Sequence, residues 1–198
     1  MKEHQENHNS DYYYKVRNMD RDPKFDNLSI VERAARILYL NKACFNGLYR
    51  VNSSGYFNVP ENKNQTIRII DLDNITNVHK FLKKNKISIT NNDFQKAVSR
   101  VKKGDFVYFD PPYDSFENQK NFTSYSQNNF DRQEQERLFK TYKRLSNKGA
   151  YVMLSNHNTK FIRELYKDFN IYVVNVKRLI SSNSKNRGEV EEVIITNY

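Results

Sequence analysis

The 198 residues predict an α/β fold built on a parallel sheet, and three observations carry that prediction. Phe106-Val107-Tyr108-Phe109 is a short apolar run of the kind buried in such a sheet. An amphipathic helix is expected over 131–147, and Ala150 to Leu154 then forms a second buried run. Strand, helix and strand in that order make a βαβ unit.

The remaining elements follow from the chain in order. Residues 1–28 are polar around an aromatic knot, Tyr12-Tyr13-Tyr14, and read as a helix end followed by a loop. Ser29 and Glu32 have capping-box spacing, and Ile30, Ala34, Ile37, Leu38 and Leu40 recur at helical intervals, so a helix is expected over 30–43. Two β-prone runs, Leu48 to Val51 and Tyr56 to Val59, flank Asn52-Ser53-Ser54-Gly55 and read as a hairpin. Residues 60–77 are rich in asparagine and read as irregular, with a helix over 74–84, a short strand at Ile87 to Thr90 and a helix over 93–102. Beyond the second buried strand come a helix over 158–168 and two strands, 171–177 and 190–196, which place a hairpin at the end of the parallel sheet. The expected organisation is 1–28 as an N-terminal segment, 29–85 as a helical and hairpin region, and 86–198 as the sheet domain.

Charge narrows the partner. Lys and Arg number 33 against 23 Asp and Glu, a formal balance of +10, and residues 31–104 hold nearly all the excess. A polyanion such as DNA fits that distribution, as does a merely solvated lysine-rich surface around Lys83, Lys84 and Lys86. No run approaches the roughly 18 apolar residues of a membrane span, and MKEHQENHNS offers no secretory signal, so a cytoplasmic location is expected. The single cysteine, Cys44, excludes an internal disulfide and a cysteine-built zinc site.

The chemistry concentrates at Asp110-Pro111-Pro112-Tyr113, which follows the first buried strand. Ligands of open α/β sheets bind beyond the carboxyl ends of strands. Two prolines stiffen the backbone and present carbonyls without competing N–H donors. Asp110 adds a carboxylate acceptor and Tyr113 a flat ring. Such a corner suits the exocyclic amine of a planar base: two acceptors hold its protons, the nitrogen lone pair faces an electrophile, and the ring stacks on tyrosine. No metal is required. An ordinary proline-rich turn would show the same four residues.

Several ordered motifs accompany that corner: Tyr12 to Arg17, Ala34 to Lys42, Cys44 to Asn52, Phe57 to Pro60, Phe122-Thr123-Ser124-Tyr125, Ser155-Asn156 and Ile180 to Asn183. Together they resemble the Dam-type, D12 class family of DNA adenine-N6 methyltransferases, from about residue 11 to the end. The resemblance implies a Rossmann-like methyltransferase sheet with an inserted DNA-recognition region, S-adenosylmethionine as cofactor, and double-stranded DNA, typically GATC, as substrate. It implies that Asp110, Pro111, Pro112 and Tyr113 grip a flipped adenine, with Asp110 bordering the cofactor. Asp93 and Phe94 would lie near the cofactor's adenine. Arg50, Asn52, Ser53, Ser54, Asn58 and Pro60 would belong to the DNA-contacting hairpin.

Physical chemistry agrees with the hairpin assignment, since a two-stranded ribbon fits the major groove, where Arg pairs with guanine and Asn with adenine. Asn-Ser-Ser-Gly is equally good turn chemistry. Arg36 and Lys42 read as exposed helix charges or phosphate contacts, and Cys44 as a small packed hydrophobe. Phe122 and Tyr125 either wall the base pocket or fill the core. His157 reads as a loop residue.

Two departures from the family pattern stand out. The chain contains no Gly-x-Gly, whereas family members open with a Phe-x-Gly-x-Gly cofactor loop, and Glu61-Asn62 replaces the usual Phe-Gly after Pro60. A truncated, split or degenerate methyltransferase is therefore expected, with a separate N-terminal fragment as a possible partner and an open sheet edge. A non-catalytic DNA-binding remnant is the alternative, and an RNA or protein N-methyltransferase a distant third.

Overall fold

The computed structural model describes residues 1–63, 71–116, 130–177 and 189–198. These form two compact units, Met1–Ile89 and the described residues from Thr90 onward.

In the first unit the helices are α1 (Lys2–Glu6), α2 (Ser10–Asn18), α3 (Ile30–Ala43) and α4 (Leu72–Lys84). The capping box sets the start of α3 as expected: Ser29 Oγ accepts from Glu32 N–H, and Glu32 Oε2 accepts from Ser29 N–H at 2.8 Å. Its buried face differs from the expected apolar stripe, because Ile30, Ile37 and Leu38 are exposed. Tyr39, Leu40 and Ala43 turn inward instead, onto Tyr13 and Val16 of α2 and onto Phe57 and Val59. Residues 1–28 hold more helix than the expected helix end followed by a loop: two helices and two 3-10 turns, Met19–Arg21 and Pro23–Asn27, with Tyr13 and Val16 of α2 entering this core.

The hairpin is short. Val51 and Phe57 form a single antiparallel bridge, extended by Asn52 N–H to Tyr56 C=O (2.9 Å) and Asn58 N–H to Arg50 C=O (3.0 Å). Gly55 closes the turn at φ 81°, a conformation costly for any residue with a Cβ. Ile87 to Thr90 do not form the expected strand and lie exposed.

The second unit contains α5 (Phe94–Ala97), β1 (Phe106–Phe109), α6 (Arg132–Asn147), β2 (Tyr151–His157), α7 (Lys160–Leu165), β3 (Asn170–Lys177) and β4 (Glu189–Thr196). The sheet order is β1-β2-β4-β3. Only β1 and β2 are parallel, with α6 as their crossover; β4 runs antiparallel to both β2 and β3. The sheet is therefore mixed: the parallel pair β1 and β2 carries the expected antiparallel pair of terminal strands, β3 and β4, at its end. The helix expected over 93–102 ends at Ala97, where Ser99 Oγ donates to Lys96 C=O and competes with the helical ladder.

Alternation along the strands puts Val107, Phe109, Val152, Leu154, Val193 and Ile195 on one face, packed against Leu138, Tyr142 and Leu145 of α6 and Ile162 of α7. Each fully buried aliphatic side chain contributes about 1.5–3 kcal/mol through burial. Phe106, Tyr108 and Tyr151 are exposed, and β1 is an edge strand. This geometry leaves Asp110 just beyond the carboxyl end of β1, beside the end of β2.

Candidate functional site

Asp110 is exposed, yet its carboxylate is fixed. Ser155, buried in β2, donates its hydroxyl to Asp110 Oδ1 at 2.8 Å. Tyr108 Oη lies 2.9 Å from Ser155 Oγ, and since the serine proton goes to Asp110, the tyrosine is the donor. A relay from Tyr108 through Ser155 therefore orients one oxygen of Asp110 and leaves Oδ2 without a partner among the described residues.

The two proline carbonyls differ. Pro112 C=O accepts from Gln135 Nε2 at 2.8 Å, whereas Pro111 C=O has no hydrogen-bond donor among the described residues. Gln135 Oε1 accepts from Asn156 Nδ2 at 3.1 Å, and Asn156 Oδ1 accepts from Asp114 N–H at 2.8 Å. Tyr113 follows this rigid backbone, half-buried, with its ring edge-on to His157 at 5.0 Å. Burial pushes its hydroxyl up to about 12, with the Ser155 hydroxyl pulling the other way. Tyr113 is consequently a neutral ring at any physiological pH. Asp114 is itself buried and held by the Thr159 hydroxyl (2.7 Å) and Arg132. His157 ends β2 rather than lying in a loop, and its Nδ1 is 2.7 Å from Asp114 C=O.

Asp93 caps α5 through Gln95 N–H and pairs with Arg137 at 2.7 Å. That guanidinium holds its carboxyl below the usual carboxylate range. Arg137 also lies over the Phe94 ring, 4.1 Å from its centroid. The outward group of this stretch is thus a half-buried Phe94 ring rather than a free carboxylate. Phe122 and Tyr125 lie outside the described residues. Among the described residues, no three His, Cys, Asp or Glu side chains gather to hold a metal ion.

The hairpin of the first unit is braced by charge. Asp20 Oδ2 accepts from Phe57 N–H (2.8 Å) and pairs with Arg36 (2.8 Å), while Arg21 Nη2 donates to Phe57 C=O (3.0 Å). Arg36 also donates to Val16 C=O and Arg17 C=O. It is 3% exposed, so the expected surface charge or phosphate contact is an internal strut. Tyr13 Oη adds a bond to Val59 C=O at 2.9 Å.

Arg50 is exposed, and its Nε donates to Asn58 Oδ1 at 2.7 Å. Asn58 therefore orients Arg50. Asn52 Oδ1 accepts from both Ser54 N–H (3.1 Å) and Tyr56 N–H (2.9 Å), so its carbonyl is spent on the turn and Nδ2 is what it offers outward. Ser53 and Ser54 are exposed at the tip, and Pro60 is exposed while its carbonyl accepts from Phe45 N–H.

The profile of the D12 class N6 adenine-specific DNA methyltransferases matches residues 1–180. The chain belongs to that family. It is 45% identical over 195 residues to the type II methyltransferase M1.LlaDCHI of Lactococcus lactis subsp. cremoris, covering 98% of this chain and 69% of that protein. It is 41% identical to the type II methyltransferase M.MjaIII of Methanocaldococcus jannaschii, covering 95% and 65%. The DNA adenine methylase of Escherichia coli K12 is 31% identical over 93% of this chain and 64% of its own length. The chain thus spans about two thirds of these relatives.

Three side chains of this D12 class member escaped the sequence reading. Gln135 looked like one more polar residue on an amphipathic helix, and its only signal is its place at the head of the buried stripe that continues through Leu138, Tyr142 and Leu145. Tyr108 read as a strand residue and Ser155 only as part of the Ser155-Asn156 motif after the second strand, and it is the parallel register that brings their hydroxyls together beside Asp110.

Proposed function

We propose that this chain methylates adenine N6 in double-stranded DNA, at a GATC-type site, with the target base flipped out of the helix. The observation that carries the reading is the asymmetric corner: an exposed Asp110 carboxylate oriented by Ser155, a Pro111 carbonyl with no donor among the described residues, and a neutral Tyr113 ring. Asp110 and Pro111 C=O accept the two protons of the adenine amine, which turns its lone pair away from the acceptors. Tyr113 stacks on the flipped base and holds its plane. Once methylated, the nitrogen would shed one of its two protons to the adjoining Asp110 carboxylate or to solvent, and the rest of the catalysis is orientation and desolvation.

S-adenosylmethionine, when bound, supplies an electrophilic methyl group. The free Asp110 oxygen and the half-buried Phe94 ring suit such a cationic, adenine-bearing group, with Asp93 acting through Arg137 to shape that wall. In the other unit, Arg50, the Asn52 amide, Ser53 and Ser54 read the duplex, while Asn58 and Pro60 support them. The type II names of two relatives support a place in a restriction–modification system.

A second reading, one half of a split enzyme, is favoured by the edge position of β1 and its exposed Phe106 and Tyr108. A methylation assay on a GATC duplex, with and without a supplied Phe-x-Gly-x-Gly polypeptide, separates the two. Activity only with the supplement supports the split form. Asp110→Ala should abolish transfer in whichever form is active and leave duplex binding within about twofold. Duplex binding with no transfer in either form would make the chain a DNA-binding remnant.

A further inference from the structure

The diproline corner poses a problem of choice. Consecutive prolines present two carbonyls within one turn, and a target amine that paired with the wrong one would aim its lone pair elsewhere. The backbone alone does not decide between them.

A pair of buried amides does. Gln135 and Asn156 are each 0% exposed, and each uses its side chain on the segment that carries Tyr113. Gln135 Nε2 holds the carbonyl of Pro112, which belongs to the peptide entering Tyr113. Asn156 Oδ1 holds the N–H of Asp114, which belongs to the peptide leaving it. The two amides are joined by Asn156 Nδ2 to Gln135 Oε1. Both peptide planes flanking Tyr113 are therefore pinned by one connected unit, and of the two proline carbonyls it is Pro111's that has no donor among the described residues.

The position gives a reason to regard the amide as more than filling. Gln135 opens the buried stripe of α6, where its neighbours inward are Leu138, Tyr142 and Leu145. An enclosed carboxamide costs several kcal/mol if left unmatched, and here both of its ends are matched. The head of the buried stripe is thus spent on the Pro112 carbonyl and on Asn156.

We propose that Gln135 is a positioning residue: by occupying the Pro112 carbonyl and, through Asn156, fixing the Tyr113 peptides, it reserves the Pro111 carbonyl for the target amine. The proposal rests on the reading of the corner as an amine-holding site. It adds what keeps the Pro111 carbonyl, and not that of Pro112, available to the amine.

Two substitutions test it in the full chain, in whichever form shows transfer. Gln135→Met keeps the shape and removes both hydrogen bonds. It should lower kcat about 10- to 100-fold, while KM for the duplex and duplex affinity by fluorescence anisotropy without a methyl donor stay within about twofold. Gln135→Glu keeps the shape and can donate to Pro112 C=O only while protonated. Burial raises its pKa, so its activity should approach the native value at the acid end and fall as pH rises through that pKa, a limb absent from the native profile. Native kcat in folded Gln135→Met overturns the proposal, as does activity that declines only in step with the folded fraction followed by circular dichroism. If Gln135→Met does not fold, the pH limb of Gln135→Glu decides. A native chain that neither binds duplex nor transfers methyl sinks the parent reading and this one with it. A native chain that transfers equally well with either substitution sinks this one alone.

Discussion

Phe57 in the hairpin and Tyr113 in the corner are both held by side chains gripping the backbone on either side, but the grips differ in kind. Asp20 and Arg21 take the N–H and C=O of Phe57, with Arg36 behind Asp20. Neutral amides take the corresponding groups around Tyr113. Ionic bracing is strong when complete and costly when one partner is lost, because the survivor is left charged in a dry setting. Amide bracing is indifferent to salt and to pH across the working range. The grip on Phe57 thus depends on charge, and the grip on the peptides around Tyr113 does not.

The largest perturbation should erase that contrast. Burial raises the hydroxyl pKa of Tyr13 and Tyr39 in the first unit, and of Tyr113, Tyr142 and Tyr166 in the second. A raised folded pKa favours the neutral form, so the stability it contributes is intact below the unfolded value near 10 and is lost as pH climbs past it. For Tyr113 the loss runs from about pH 10 to about 12. Circular dichroism with tyrosine absorbance should show both units unfolding together in that range. Ionisation near pH 10 with the fold intact would show that these hydroxyls are not sequestered.

Asp20→Ala should restore the contrast. It leaves the guanidinium of Arg36 buried without a carboxylate, facing backbone carbonyls and the Phe25 ring, at a cost of about 3–5 kcal/mol in denaturant unfolding of the first unit. A cost under about 1 kcal/mol would mean that the apolar packing of Phe57 and Val59, not the ion pair, holds the hairpin.

Arg50→Ala should be milder and more selective, weakening discrimination between a cognate duplex and one with a single altered base pair by about 1–3 kcal/mol. Equal weakening on every duplex, with a shallower salt dependence, would make Arg50 a phosphate contact.

How legible these features were in the sequence depended on how local their causes are. The start of α3 was readable because Ser29 and Glu32 are three residues apart. β1 and β2 were readable because a short apolar run has few other uses. Ile87 and Ile89 alternate as a strand would, but no strand among the described residues pairs with them, and an isolated strand has no ladder to stabilise it. Arg36 was misread because its carboxylate partner, Asp20, belongs to another element, and a charge among apolar residues looks solvated until that partner is known. Asp110 to Tyr113 announced themselves through prolines and charge, whereas Gln135 and Asn156 carry neither. The double duty of Asn52 was half-visible, since asparagine two residues before a turn amide is ordinary turn chemistry.

Cys44 has a practical consequence. It is the one cysteine of the chain, 1% exposed, with its sulfur 3.2 Å from Leu48 C=O, and burial pushes its thiol up. Maleimides and similar alkylating dyes need an accessible thiolate, so they find no target on the folded native chain. A cysteine introduced at exposed Ser53 would be the sole reactive handle, placing a fluorophore or crosslinker at the tip of the hairpin without removing any natural residue first.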